Sequence, residues 1–176
     1  MDYLMVVNAP CYQVSDASFA TKSAFAEHVR LLRRMWASRF PRLVIAAPAM
    51  SRDIYEQRLN YWGVLHADSD GIDFVPMHPT TVGRVRYFLR YLVPNIFRLQ
   101  RVIKQAGIVH SGPSHIYYPF GFIAILLGVA AHKPTIFVVD VDERHSSWMN
   151  YKIRCWSPKS YLLARCIYDP FRSFQT

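Results

Sequence analysis

The chain has 176 residues, of which 52% are hydrophobic and 19% charged, so it can build one domain with a full core and is not intrinsically disordered. Its net charge is +9 and its pI near 9.7, which favours an anionic partner: lipid headgroups, a phosphorylated ligand or nucleic acid. Its three cysteines, Cys11, Cys155 and Cys166, are scattered, show no zinc-ligand spacing, argue against a disulfide framework and fit a reducing cytoplasm.

Tyr3 to Val7 is a short apolar run that reads as a buried first strand, ended by Asn8-Ala9-Pro10. The opening carries Asp2 where a secretory signal would have a basic segment, and its apolar run is too short for one. A long polar loop follows to about Thr21, holding Cys11, Tyr12, Gln13, Ser15, Asp16, Ser18 and then Lys22. Long loops after a first strand often carry function, which makes Ser15, Asp16 and Lys22 candidates. The loop has no GxGxxG, so it is not a dinucleotide fingerprint.

Phe25, Val29, Leu32 and Trp36 recur at helical spacing and predict a helix over 23–36. Arg30, Arg33 and Arg34 fall largely off that face and read as a solvated basic surface, with membrane contact as the alternative. Pro41 ends the unit. Leu43 to Ala47 is a second strand closed by Pro48, and 52–61 is weakly helical. Asp68-Ser69-Asp70-Gly71 is a turn cluster, and Ile72 to Val75 a third strand ended by Pro76.

Residues 82–106 are helical in pattern, with Pro94 inside to kink or split them. Val85, Phe88, Leu89 and Leu92 form one apolar stripe, and Ile96, Leu99, Val102 and Ile103 another. The polar side is basic: Arg84, Arg86, Arg90, Arg98, Arg101 and Lys104. No Asp or Glu occurs from Phe74 to Val139. Like charges at helical spacing repel, so the pattern suits either an anionic membrane surface or a solubilising face. Gly107 reads as the C-cap.

Gly107 to Arg144 then forms the central unit. A short strand, 108–110, leads into a loop with His110, Ser111 and His115. Ile116 to Ala131 is an uncharged stretch, shorter than a membrane span and holding Pro119, which reads as a buried crossover helix. His132-Lys133-Pro134 turns the chain into a strand over 135–139, whose acidic tip is Asp140, Asp142 and Glu143. Fully apolar strands imply a parallel sheet covered on both faces, and ligands of such sheets bind beyond the carboxyl ends of the strands. Those ends carry His110, Ser111, His115 and the acidic tip. Asp140 at a strand end can take a proton from an alcohol or bind sugar hydroxyls; the alternative is that Asp140 and Asp142 cap the next turn or pair with Arg144. His110 is either a ligand or a structural histidine ending a buried strand.

Ser157-Pro158 starts a last helix, to about Cys166, within an aromatic and basic region from Trp148 to Phe174. That mixture suits a membrane interface, a docking surface or stacked single-stranded nucleic acid, but no nucleic-acid motif supports the last. Strands at 3–7, 43–47, 72–75, 108–110 and 135–139 alternate with helices. The expected fold is α/β: a Rossmann-like, doubly wound, mainly parallel sheet with helices on both faces.

The phrase GIVHSGPS, then an aliphatic helix, then HKPTIFVVD resembles the amino-terminal half of a family-four-like glycosyltransferase of GT-B type. The run Ser18-Phe19-Ala20-Thr21-Lys22-Ser23-Ala24-Phe25-Ala26-Glu27-His28-Val29 and the strand end Ala47-Pro48 resemble one branch of that family. The family's usual Gly-Gly in the first loop is replaced by Ser15 to Thr21. The resemblance implies that residues 1–176 are a single acceptor-side domain, without the C-terminal donor-binding domain and incomplete as an enzyme alone. It implies a nucleotide-sugar as donor substrate, with its site mostly outside this chain, and no metal or other cofactor. By position Asp140 is the catalytic residue; His110, Ser111, His115, Asp142, Glu143, Ser15, Asp16 and Lys22 are acceptor-binding. The implied acceptor is lipid-linked or part of the cell envelope. The implied partners are that acceptor, a missing domain or partner subunit, and an anionic membrane met by Arg84, Arg86, Arg90, Arg98, Arg101 and Lys104. The expected place is cytoplasmic, peripheral on the inner face of the plasma membrane. The alternatives are a non-enzymatic membrane- or partner-binding Rossmann-like module and, less supported, a nucleic-acid binder.

Overall fold

A computed structural model describes residues 1–57, 62–78, 84–112 and 120–138. The chain opens with β1 (Asp2–Val6), β2 (Tyr12–Ser15), β3 (Ser18–Lys22) and α1 (Ser23–Trp36). Next come β4 (Leu43–Pro48), α2 (Arg52–Glu56), β5 (Trp62–His66), α3 (Ala67–Asp70) and β6 (Ile72–Met77). Then follow α4 (Arg84–Arg86), a π-helical turn (Tyr87–Tyr91), α5 (Leu92–Gln105), β7 (Ala106–Ser111), α6 (Phe120–Ala130) and β8 (Thr135–Phe137).

Five strands form one sheet in the order β6-β4-β1-β7-β8, and every neighbouring pair is parallel. Alternation along β1 divides its side chains between two cores. Tyr3 and Met5 face one side, with Leu43, Ile45 and Ile72, under Ala26 and Val29 of α1. Leu4 and Val6 face the other, with Val44 and Ala46, under Leu99 and Ile103 of α5 and Phe120 and Ala124 of α6. Both faces are apolar because both are covered, which is why these strands read as continuous hydrophobic runs. The fold is α/β with a Rossmann-like parallel sheet flanked by helices.

The loop expected after β1 is instead a hairpin. β2 and β3 pair antiparallel, and β3 pairs antiparallel with β5, giving a second, three-stranded sheet. Phe19 and Leu65 drive this, since both are buried in the α1-side core. Of the weak helix expected over 52–61, Arg52–Glu56 is helical with Gln57 as its C-cap, and 58–61 lie outside the described residues.

Gly107 is not a helix cap. α5 ends at Gln105, Ala106 is already extended, and Gly107 lies inside β7. Its lack of a side chain serves a close approach, because a Cβ there would stand 2.8 Å from Met1 Cβ and 3.2 Å from Phe40 Cε1. The left-handed cap is Gly71, with φ of 63°, where its N–H bonds Ala67 O at the end of α3. The acidic turn cluster therefore became a one-turn helix closed by glycine.

Pro94 splits the long helix by way of the π turn. The Leu92 N–H bonds the Tyr87 carbonyl, five residues back. Pro94 has no N–H to offer the carbonyl four residues before it, so the regular pattern breaks just upstream. Asn95 anchors the break. Its Oδ1 accepts the His78 N–H at 2.8 Å, and its Nδ2 donates to His78 O at 3.4 Å and Tyr87 Oη at 3.3 Å. Asn95 and Tyr87 are both fully buried. Asn95→Leu should lower the unfolding free energy by about 2 kcal/mol in urea titrations, because the His78 N–H loses its acceptor inside the protein and the Tyr87 hydroxyl loses the amide donor.

Candidate functional site

The strand order reverses between β1 and β7, so the chain leaves their paired carboxyl ends towards opposite faces of the sheet and a crevice lies beyond them. A cleft of about 420 Å³ occupies it, lined by Asn8, Phe25, His28, His110, Gly112 and Val138 among others. Each polar wall comes from a different element. Asn8 follows β1, His110 sits near the end of β7, and His28 stands exposed on α1.

His110 is positioned from below. Its Nδ1 lies 2.7 Å from the Tyr3 hydroxyl, and the two rings meet edge to face with centroids 5.8 Å apart. Burial pushes the Tyr3 phenol up to about 12, so the phenol is neutral near pH 7. With the phenol as donor, a neutral His110 carries its own proton on Nε2.

Ser111 does structural work. Its Oγ donates to Val6 O at 2.8 Å in a buried bond that ties the tips of β7 and β1 together. Gly121, in the first turn of α6, packs so close that a Cβ would lie 2.1 Å from Gly112 O and 2.7 Å from Ser111 Oγ. That contact sets the α6 side of the cleft.

Asn8 was not singled out from the sequence. Its Oδ1 is shielded from solvent and has no hydrogen-bond partner among the described residues. Buried acceptors are nearly always satisfied, so an orphan in a cleft wall is an exception that asks for a donor. The signal for Asn8 was its place directly after the first strand. His28 was visible inside the quoted run as the histidine of FAEHV, spaced three from Phe25 on the same helix face.

The remaining expected residues scatter. Lys22 ends β3, opposite Trp62. Ser15 and Asp16 lie at the hairpin tip, where Ser15 Oγ and Ser18 Oγ are 2.6 Å apart. The tip is held by the Ala67 N–H on Ala17 O at 2.8 Å, and α3 leads from there into the start of β6. These two residues therefore lie towards the edge where the strands begin, opposite the cleft. His115, Asp140, Asp142 and Glu143 lie outside the described residues. Val138, two positions before Asp140, lines the cleft.

A second feature shares the cleft edge. Tyr12 and Tyr55 stack with centroids 4.4 Å apart, and the Trp62 Nε1–H donates to Tyr55 O at 3.0 Å. Cys11 and Ala49 bridge β1's loop to the end of β4, which brings this aromatic corner beside the loop that holds Asn8. Half-buried flat rings beside polar groups are suited to contact with the apolar face of a sugar.

The basic residues divide between internal and external roles. On α1, Arg30 pairs with Glu27 and donates to Val64 O, and Arg33 donates to Phe40 O and Pro41 O. These two fasten the fold, which corrects the reading of a solvated basic face for them, while Arg34 is exposed as that reading expects. Arg98 donates to Pro76 O at 2.8 Å. Arg84 opens α4, and Arg86, Arg90, Arg101 and Lys104 are exposed. Among the described residues no helix is long and apolar enough to cross a membrane, and no cluster of three His, Cys, Asp or Glu side chains is placed to hold a metal.

Fold and cleft together define a Rossmann-like α/β protein with a cleft at the switch point of its parallel sheet. Compared with protein-family models, curated proteins and solved structures, the chain has no match.

Proposed function

We propose that the chain is the acceptor-side half of a glycosyltransferase, which moves a sugar from a nucleotide-sugar to a hydroxyl of a lipid-linked or cell-envelope acceptor. A second α/β domain or a partner subunit would bring the donor. The observation that carries the reading is the orphan Asn8 Oδ1 in the switch-point cleft that His110 also lines. A sugar hydroxyl is both donor and acceptor, so once the Asn8 amide turns into the cleft the hydroxyl can satisfy it while accepting from an imidazole N–H. The reading assigns to Asp140, with Asp142 and Glu143, the carboxylates that take the acceptor's proton or hold its hydroxyls. It also places the protein on the cytoplasmic side, peripheral at the inner face of the plasma membrane.

Saturation-transfer NMR with a panel of methyl glycosides tests this directly. The wild-type chain should show transfer to ring protons of at least one glycoside. Asn8→Ala should weaken that glycoside roughly tenfold, the equivalent of about one neutral hydrogen bond. Absence of transfer across the panel, or an Asn8→Ala chain that binds like wild type, would overturn the reading.

A further inference from the structure

We infer that the outer face of α4, the π turn and α5 docks on an anionic lipid bilayer by inserting apolar side chains between the headgroups. The inference deepens the peripheral-membrane part of the reading above and rests on it for the kind of partner, while the docking surface itself is argued from exposure and charge.

The segment buries one side against the sheet, through Tyr87, Asn95, Leu99 and Ile103. A helix of a globular protein normally turns a polar face to water. Here the outer face is apolar: Leu89 is 83% exposed, Val85 72% and Phe97 64%, and Phe88 and Val93 are exposed as well. The π turn accounts for this. Its hydrogen bonds span five residues instead of four, which rotates the upstream stripe out of phase with the core-facing stripe of α5. The first of the two stripes legible in the sequence therefore points outward, and only the second reaches the core.

Exposed arginines are set within the same run. Arg86 and Arg90 flank Phe88 and Leu89, and Arg101 and Lys104 continue the basic charge along α5. No Asp or Glu occurs between Phe74 and Val139 to oppose them. Cores of protein interfaces are depleted of charge, whereas a bilayer surface takes apolar side chains below and cations at the headgroups. The match is to an anionic leaflet. Position supports it: Asn95 fastens the segment to His78, just past β6, on the edge of the sheet that holds the cleft. Docking there would bring that edge close to the bilayer surface.

The test is flotation with vesicles of phosphatidylcholine, alone or with about one-third phosphatidylglycerol, at about 0.1 M and about 0.5 M salt. The chain should bind the anionic vesicles at least tenfold tighter than the neutral ones. Arg86→Gln with Arg90→Gln should lower anionic binding roughly thirtyfold, since each cation near such a surface contributes about fivefold. Leu89→Ser with Phe97→Ser should lower it at both salt concentrations. These side chains touch solvent, so unchanged thermal unfolding confirms that the variants are folded. Leu89→Trp should shift its emission to the blue only with anionic vesicles. The inference is overturned if the serine variant floats like wild type, if no anionic binding occurs, or if wild type is a dimer in solution that the serine variant dissolves.

Discussion

Replacing Gly121 by valine is expected to destabilise the chain by about 3–5 kcal/mol and to abolish glycoside binding, because it drives a branched side chain into the tip of β7. An alanine methyl alone would already sit 2.1 Å from Gly112 O, an impossible contact with backbone. Relief requires α6 to move off β7 or the Gly112 peptide to shift. Either motion strains the buried bond from Ser111 Oγ to Val6 O, which holds β1 and β7 in register at the cleft. Helix propensity runs the other way, since glycine inside a helix costs about 1 kcal/mol relative to alanine. The steric term exceeds it. Gly128, further along α6, is the control. A Cβ there would meet Thr135 Cγ2 at 2.8 Å and Val109 Cγ2 at 3.3 Å, both side-chain atoms that can give way. Gly128→Ala should cost much less than Gly121→Val in urea titrations and should keep glycoside binding. Equal losses at the two glycines would show that the β7–α6 contact has no special role.

The same contact explains what could be read in advance. The inner strands β1 and β4 were legible because burial on both faces leaves an unbroken apolar run, as in Leu43 to Ala47 or Tyr3 to Val6, while β6, β7 and β8 showed only short apolar stretches bounded by glycine, proline or polar residues. The second sheet was not legible. β2 exposes Gln13, Val14 and Ser15, so no alternation marks it, and β3 finds its other partner, β5, some forty residues further on. Pairing at that separation is decided by packing, here of Phe19 and Leu65, and leaves no local trace. The hairpin then reverses the chain and carries Ser15 and Asp16 away from the cleft, while Lys22 returns next to Trp62. Polarity in a loop marks residues that can bind, but not the edge of the sheet where they finish.

The cleft was half legible for a similar reason. A histidine near the end of an apolar strand pointed to His110, and a parallel sheet pointed to the edge where it stands. Ser111 carried the same signal and lines the cleft, while its hydroxyl proton goes to Val6 O, a partner 105 positions away. Asn8 carried a weaker signal and shows the orphan acceptor. The stripe of Val85, Phe88 and Leu89 obeys helical spacing, which reveals that a face is apolar. Spacing says nothing of which way that face turns once a π turn has intervened.

Alkaline pH is the second large lever on the fold, and it acts through the cleft's foundation. Burial raises the Tyr3 phenol from 10.0 to about 12, and it raises the Cys11 thiol from 9.0 to about 12, with a bond to Thr21 offsetting part of the latter. Both groups are almost wholly enclosed in the α1-side core. In each case the folded value exceeds the unfolded one, so the unfolded chain releases its proton first. The stabilisation is complete below pH 9. It declines as pH rises through the unfolded values and is gone by about pH 12. At about 1.4 kcal/mol per unit, the two groups together are worth several kcal/mol, comparable to the net stability of a typical domain. Urea midpoints measured under reducing conditions should therefore hold level to pH 9 and then fall steeply. Cys11→Ala should delay the fall until the phenol titrates near pH 10. Tyr3→Phe should remove the later component while keeping the ring's packing on Trp36 and Phe40, whose centroids lie 5.8 and 5.5 Å away. A Tyr3→Phe chain that loses stability with the same slope above pH 10 would exclude the phenol as the origin. If the slope does flatten, the buried O–H that orients His110 is also a group whose ionisation the fold cannot tolerate, which links the geometry of the cleft to the stability of the sheet beneath it.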